Sequence, residues 1–138
     1  LIYSYIHAGS RLGVLLEINC ETDFVGKTDG FSELAHNIAM QIAATNPLAL
    51  NVESLDESIV SREKSIFKEQ AESQGKPENI IEKMIEGRMQ KFFQESCLLE
   101  QTYIKDPDKK VKDLITESIA TLGENISINR FIRFAIGE

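Results

Sequence analysis

The sequence holds little from which catalysis could be built. Its only histidines are His7 and His36, and neither has a Cys, His or carboxylate at metal-ligand spacing. The two cysteines, Cys20 and Cys97, lie far apart and lack a CxxC partner. That provides no disulfide framework and fits a reducing compartment. No GxxxxGKS, GxxxxGKT or GxGxxG loop occurs, so the chain is not itself built to cradle phosphates. Lys and Arg never run beyond the Lys109-Lys110 pair, and the net charge is −7. A phosphate backbone repels a surface with that balance, which excludes a general nucleic-acid binder. No apolar stretch approaches the roughly 20 residues needed to span a bilayer, and the N-terminus lacks the charged-then-apolar layout of a signal peptide. The carboxylates fall mainly beside lysines on predicted helix faces, as solvated pairs do. What survives is a protein that works by contact, without a cofactor or metal of its own.

What is present suffices for one domain with a hydrophobic core. The chain has 138 residues, 42% of them apolar and 27% charged. It begins at Leu1, already inside a strand pattern, so an N-terminal segment is expected to precede it. Residues 1–7 are rich in Tyr and Ile; after Ala8-Gly9-Ser10, Leu12, Val14, Leu16, Ile18 and Cys20 recur at every second position, with Leu15, Glu17 and Asn19 opposite. Two such runs joined by a short turn predict an antiparallel hairpin. Phe31, Leu34, Ala35, Ile38, Ala39 and Ile42 then share one helical face, up to the stop at Asn46-Pro47. A second helix is expected from a capping box between Ser54 and Glu57, carrying Leu55, Ile59, Ile66 and Phe67 as far as Gly75-Lys76-Pro77. Pro77 opens a third helix bearing Ile81, Met84, Ile85, Met89 and Phe92. The narrow apolar stripe on both predicts an antiparallel, coiled-coil-like hairpin protruding from the body over about 55–97. A strand is expected within 98–104, and Asp108 is the expected cap of a helix through Val111, Leu114, Ile115, Ile119 and Leu122. Gly123 stands where that helix needs a left-handed end. Ile126, Ile128, Ile132, Phe134 and Ile136 are expected on one face of a last strand. Strands at both ends and helices between them predict an α+β fold, an antiparallel sheet packed against helices.

His36, between the buried and exposed faces of its helix, reads as a solvated surface histidine, and Cys20 as a small buried hydrophobe rather than a nucleophile. One segment resists such readings: Asn19-Cys20-Glu21-Thr22-Asp23-Phe24-Val25, between the second strand and the first helix. Thr22 is placed to cap a short turn, and Asp23 to hydrogen-bond its own backbone. For Phe24 two readings stand open: a side chain folded back into the core, or an exposed anchor aimed at a partner.

The run NCETDFV after GVLLEI resembles the signature of the elongation factor Ts family. HNIAMQIAATNP, GKPENIIEKMIEGRMQKFFQE and LGENISINRFIRFAIGE resemble further family segments in the same order, so the likeness spans essentially all 138 residues. The resemblance implies a translation elongation factor that releases GDP from the GTPase elongation factor Tu and carries out no chemistry of its own. It implies that Asp23 and Phe24 intrude into the GTPase's nucleotide domain, with Thr22 and Val25 shaping the loop. Phe24 would enter a slot between helices and shift groups that support the bound Mg²⁺. Leu122 and Gly123 match a family pair near the same face, and residues near Tyr103 and Ile104 are expected to touch the GTPase's third domain. The helical hairpin matches the family's coiled-coil insertion, and the family's small N-terminal helical domain is not within this sequence.

For a chain with one copy of the core and no internal repeat, the resemblance implies the homodimer-forming type, pairing through its terminal strand region, 126–136. The expected location is the bacterial cytoplasm or the interior of a plastid or mitochondrion, with no membrane or direct nucleic-acid contact. Three residues depart from the family pattern: Gly26 for the usual Ala, Thr102 for a common Pro and Asn129 for a common Arg. The competing reading is a ribosome-associated or structural module of the same fold without exchange activity, which would have no reason to keep the Asp23-Phe24 pair.

Overall fold

In the computed structural model, which describes residues 1–138, the alternation at both chain ends becomes one three-stranded antiparallel sheet. Strands β1 (Ile2–Ile6) and β2 (Leu12–Asn19) form the predicted hairpin, and β3 (Ser127–Ala135) pairs with the other edge of β2. The β1–β2 turn closes through Gly9 and Ser10, both left-handed at φ 92° and 57°. The chain divides into two compact units, Leu1–Pro47 with Thr102–Glu138, and Leu48–Gln101.

In the first unit, the inner face of the sheet carries Val14, Leu16 and Ile18, all buried. Helix α2 (Asp29–Thr45) packs on β1 and β2 through the predicted face, Phe31, Leu34, Ala35, Ile38, Ala39 and Ile42, every one of them buried. Thr28 starts the helix by accepting from the Phe31 amide, and Asn46 ends it in a left-handed conformation at φ 47°. Helix α5 (Val111–Leu122) packs on α2 and buries Val111 and Ile115. Its start differs from expectation. Asp108 does not cap the helix: the cap position is Lys110, whose amide donates to the carboxylate of Asp113, while Asp106 holds the preceding turn by accepting from the Asp108 amide. Gly123 closes α5 in the predicted left-handed conformation, φ 78°.

The last strand departs from the expected single face. Ile18 pairs with Ile128 and Glu17 with Arg130, so Asn129 is an extra residue and forms a β-bulge. Side chains alternate strictly along a strand, so one inserted residue moves everything beyond it to the other face. Ile126 and Ile128 are buried on the inner face, while Ile132, Phe134 and Ile136 are exposed on the outer one. They join Ile2, Ile6 and Leu15 there. Phe131, Arg133 and Ala135 take the inner positions instead, and Arg133 donates from Nε to the Ala43 carbonyl at 3.1 Å.

The second unit holds the helical hairpin. The predicted Ser54–Glu57 capping box does not form, because Ser54 is engaged in the reciprocal box of a 3-10 turn with Asn51. Asp56 caps α3 (Glu57–Ser73) by accepting from the Ser58 amide at 2.9 Å, and these bonds hold its carboxyl below the ordinary carboxylate range. After Gly75 (φ 70°), α4 (Glu78–Ser96) runs back along α3. Arg88 lies over the Phe67 ring at 5.6 Å and donates to Gln70 at 2.9 Å. The buried stripe is narrow, comprising Ala71, Ile81 and Met89. A small cluster of Ala49, Leu55 and Cys97, packed with Val52, Val60, Phe92 and Phe93, forms the core of this unit. Burial, reinforced by Glu100 and Glu53, pushes the Cys97 thiol up to about 11. The strand expected within 98–104 is absent. Leu98–Glu100 forms a 3-10 turn, and its amides are claimed locally: Leu98 N donates to Ala49 O and Leu99 N to Leu50 O.

Candidate functional site

β2 ends and β3 begins at the Asn19–Ser127 pair, and the loops at that end of the sheet lie side by side. The first is the segment that resisted a structural reading. Thr22 begins a four-residue helical turn, α1 (Asp23–Gly26), with its side chain accepting from the Val25 amide at 3.4 Å. Gly26 N then donates to Thr22 O, and Lys27 N to Asp23 O, both at 3.1 Å. Cys20 is half-buried beneath the turn rather than in the core, and its thiol donates to the Thr22 carbonyl at 3.2 Å.

This turn excludes the reading in which Phe24 folds back into the core. The side chain is 89% exposed, the most exposed large hydrophobic group in the chain. Val25 is half-buried and ties the turn to α2, since its carbonyl accepts from both the amide and the hydroxyl of Thr28. Asp23 is exposed and does not hydrogen-bond its own backbone as expected; the backbone donors ahead of the turn go elsewhere. Glu124, in the second loop, accepts from the amides of Glu21 and Thr22 at 3.1 and 2.9 Å and from the Thr22 hydroxyl at 2.5 Å. Glu21 answers by accepting from the Asn125 amide at 2.7 Å. Sequence reasoning assigned no role to either glutamate, although both lie inside family segments, because each pairs with a loop about a hundred positions away.

Leu122 and Gly123 stand just before Glu124. Leu122 is half-buried, with a methyl 3.3 Å from the position a Cβ would take on Gly30, in the first turn of α2. Tyr103 and Ile104 form a separate feature. Tyr103 is buried and its hydroxyl pKa is raised by that burial, whereas Ile104 is 47% exposed. The fully buried Gln41 of α2 holds this loop, donating to Thr102 O at 3.1 Å and accepting from Ile104 N at 3.0 Å.

His36 is not the solvated histidine expected. It is half-buried beneath β1, with Nδ1 2.7 Å from the Tyr3 hydroxyl and the rings of Tyr3 and Tyr5 edge-on to it. No group of three or more His, Cys, Asp or Glu side chains is placed to hold a metal ion, and no helix is long and apolar enough to cross a membrane.

The family model described as elongation factor TS matches residues 1–138. The chain belongs to the elongation factor Ts family. It is similar to the elongation factor Ts of Syntrophomonas wolfei, 59% identical over all of this chain and 64% of that protein. It is also similar to those of Carboxydothermus hydrogenoformans, at 56% over all of this chain and 64% of that protein, and Syntrophobacter fumaroxidans, at 53% over 99% of this chain and 68% of that protein. The chain thus spans about two thirds of the length of these elongation factor Ts relatives.

Proposed function

We propose that the protein serves translation elongation as a guanine-nucleotide exchange factor, releasing GDP from elongation factor Tu by inserting Asp23 and Phe24 beside its nucleotide. The exposure of Phe24 carries this reading. A phenylalanine presented to solvent on a helical turn held at several points gains only when a partner buries it. Exchange requires a ligand that prefers the nucleotide-free partner, since equal affinity for both states shifts nothing. A wedge that occupies space near the nucleotide supplies that preference. Displacing groups around a bound Mg²⁺ would then remove charge that the GDP phosphates need. No covalent bond is made or broken by the factor itself.

Around this wedge, Thr22 and Val25 set the shape of the turn, and Leu122 and Gly123 lie next to its support. For the third domain of the GTPase, the exposed Ile104 is the contact and the buried Tyr103 its support. We place the activity in the bacterial cytoplasm, in keeping with the bacterial relatives. The protein is further proposed to form a homodimer through the outer face of its sheet, where Ile2, Ile6, Leu15, Ile132, Phe134 and Ile136 are all exposed. A second copy matches that face: it is apolar at the centre, and its flanking Glu17–Arg130 pair, 3.1 Å apart, leaves no unbalanced charge to repel a twin.

The test is release of a fluorescent GDP analogue from elongation factor Tu with and without the full-length protein. Acceleration is expected. An unchanged rate would sink the exchange reading and favour a structural module of the same fold.

A further inference from the structure

We propose that Glu124 is the positioning residue of the exchange loop, with Glu21 locking it from the other side. The inference rests on the exchange reading above and adds to it the device that keeps Phe24 presented.

A four-residue helical turn is too short to hold its own shape, because helix nucleation costs more than one or two hydrogen bonds return. The turn α1 also displays a large apolar side chain that water would drive inward. Something outside the turn must therefore hold it open. The single carboxylate of Glu124 takes three donors from the entrance of the turn: the Glu21 and Thr22 amides on one oxygen and the Thr22 hydroxyl on the other. Because the hydroxyl proton points at Glu124, the lone pairs of the Thr22 oxygen face the Val25 amide, as a cap requires. The Glu21–Asn125 bond runs in the opposite direction, so the two loops are braced reciprocally. Charge-assisted bonds of this kind are short and directional. The left-handed Gly123 turns the chain out of α5 immediately before Glu124. On this reading the Leu122-Gly123 pair serves exchange by aiming Glu124.

The brace is largely exposed, so its contribution is to geometry more than to global stability. The test therefore reads loop order and exchange separately, in the full-length protein. Amide hydrogen exchange at Glu21 and Thr22 should speed up about tenfold or more in Glu124→Ala, with the α2 amides unchanged. Unchanged protection at those two amides overturns the brace, whatever the GDP assay shows. In the GDP-release assay, Glu124→Ala should lose about ten- to a hundredfold in rate at limiting factor. In the Asp23→Ala, Phe24→Ala background the same change should cost almost nothing more, because a brace acts through what it holds. Additive losses overturn the positioning role, and so does a wild-type rate in Glu124→Ala. Glu124→Gln keeps the shape and one acceptor, and is expected to fall between wild type and Glu124→Ala. An inactive wild-type protein, by contrast, overturns the exchange reading itself.

Discussion

Replacing Phe24 with alanine separates the cost of folding from the cost of binding. The side chain is 89% exposed in the free chain and lies in no buried cluster. Its removal should change folding stability by no more than about 0.5 kcal/mol, as for an ordinary surface substitution. If the ring enters an apolar slot on elongation factor Tu, its burial is worth about 1.5–3 kcal/mol. That corresponds to a loss of about 10- to 150-fold in the second-order rate of GDP release. The assay follows displacement of a fluorescent GDP analogue across a range of factor concentrations, paired with urea unfolding of the same variant. The expected outcome is an unchanged unfolding midpoint with a release rate reduced within that window. Two results would refute the reasoning: a wild-type release rate, or an unfolding midpoint lowered enough to explain the lost activity. In the second case Phe24 would be buried in solution, and the turn would not be a wedge.

Other perturbations test the surrounding structure. Thr28→Ala removes the cap of α2 and the hydroxyl bond to the Val25 carbonyl; urea unfolding should show a loss of about 1–2 kcal/mol. Phe134→Glu places a charge on the outer sheet face, and sedimentation should show a dimer becoming a monomer that still unfolds cooperatively, at a midpoint lowered by the lost pairing; a wild-type monomer would end the pairing proposal. In the native protein, iodoacetamide should modify the half-buried Cys20 and spare the fully buried Cys97 until denaturant is added. Burial raises the Cys97 thiol from 9.0 to about 11, so between those values the unfolded chain has lost this proton while the folded chain keeps it. Stability should therefore fall as pH rises through that window, and less steeply in Cys97→Ala.

Much of the fold was legible because it depends on local periodicity. The α2 face, the β1–β2 hairpin and the left-handed end of α5 at Gly123 each follow from spacing or from one residue's conformational freedom. Three of the errors, at the start of α3, at the start of α5 and within 98–104, share one cause, which is competition for backbone donors. Ser54 was engaged by Asn51 and left the cap of α3 to Asp56, and Asp113 took the amide at the entrance of α5, where Asp108 was the expected cap. The predicted strand within 98–104 lost its first amides to Ala49 and Leu50. Periodicity within one segment carries no information about which distant group will claim a donor.

By itself, the sequence determined the α+β class, the lack of catalytic and metal-binding patterns and the family, and it marked out the segment proposed to carry the function. Those properties reside in composition, in periods of two and 3.6 residues, and in contiguous motifs. The tertiary structure decided what contiguous residues could not. The Asn129 bulge turns Ile132, Phe134 and Ile136 outward, because strand parity is set by pairing with β2. His36 lies beneath Tyr3 and Tyr5, because α2 packs on β1. Phe24 faces solvent, although its hydrophobicity alone favours the core. We propose that the difference is made by a carboxylate about a hundred positions away, brought beside the turn where β2 ends and β3 begins.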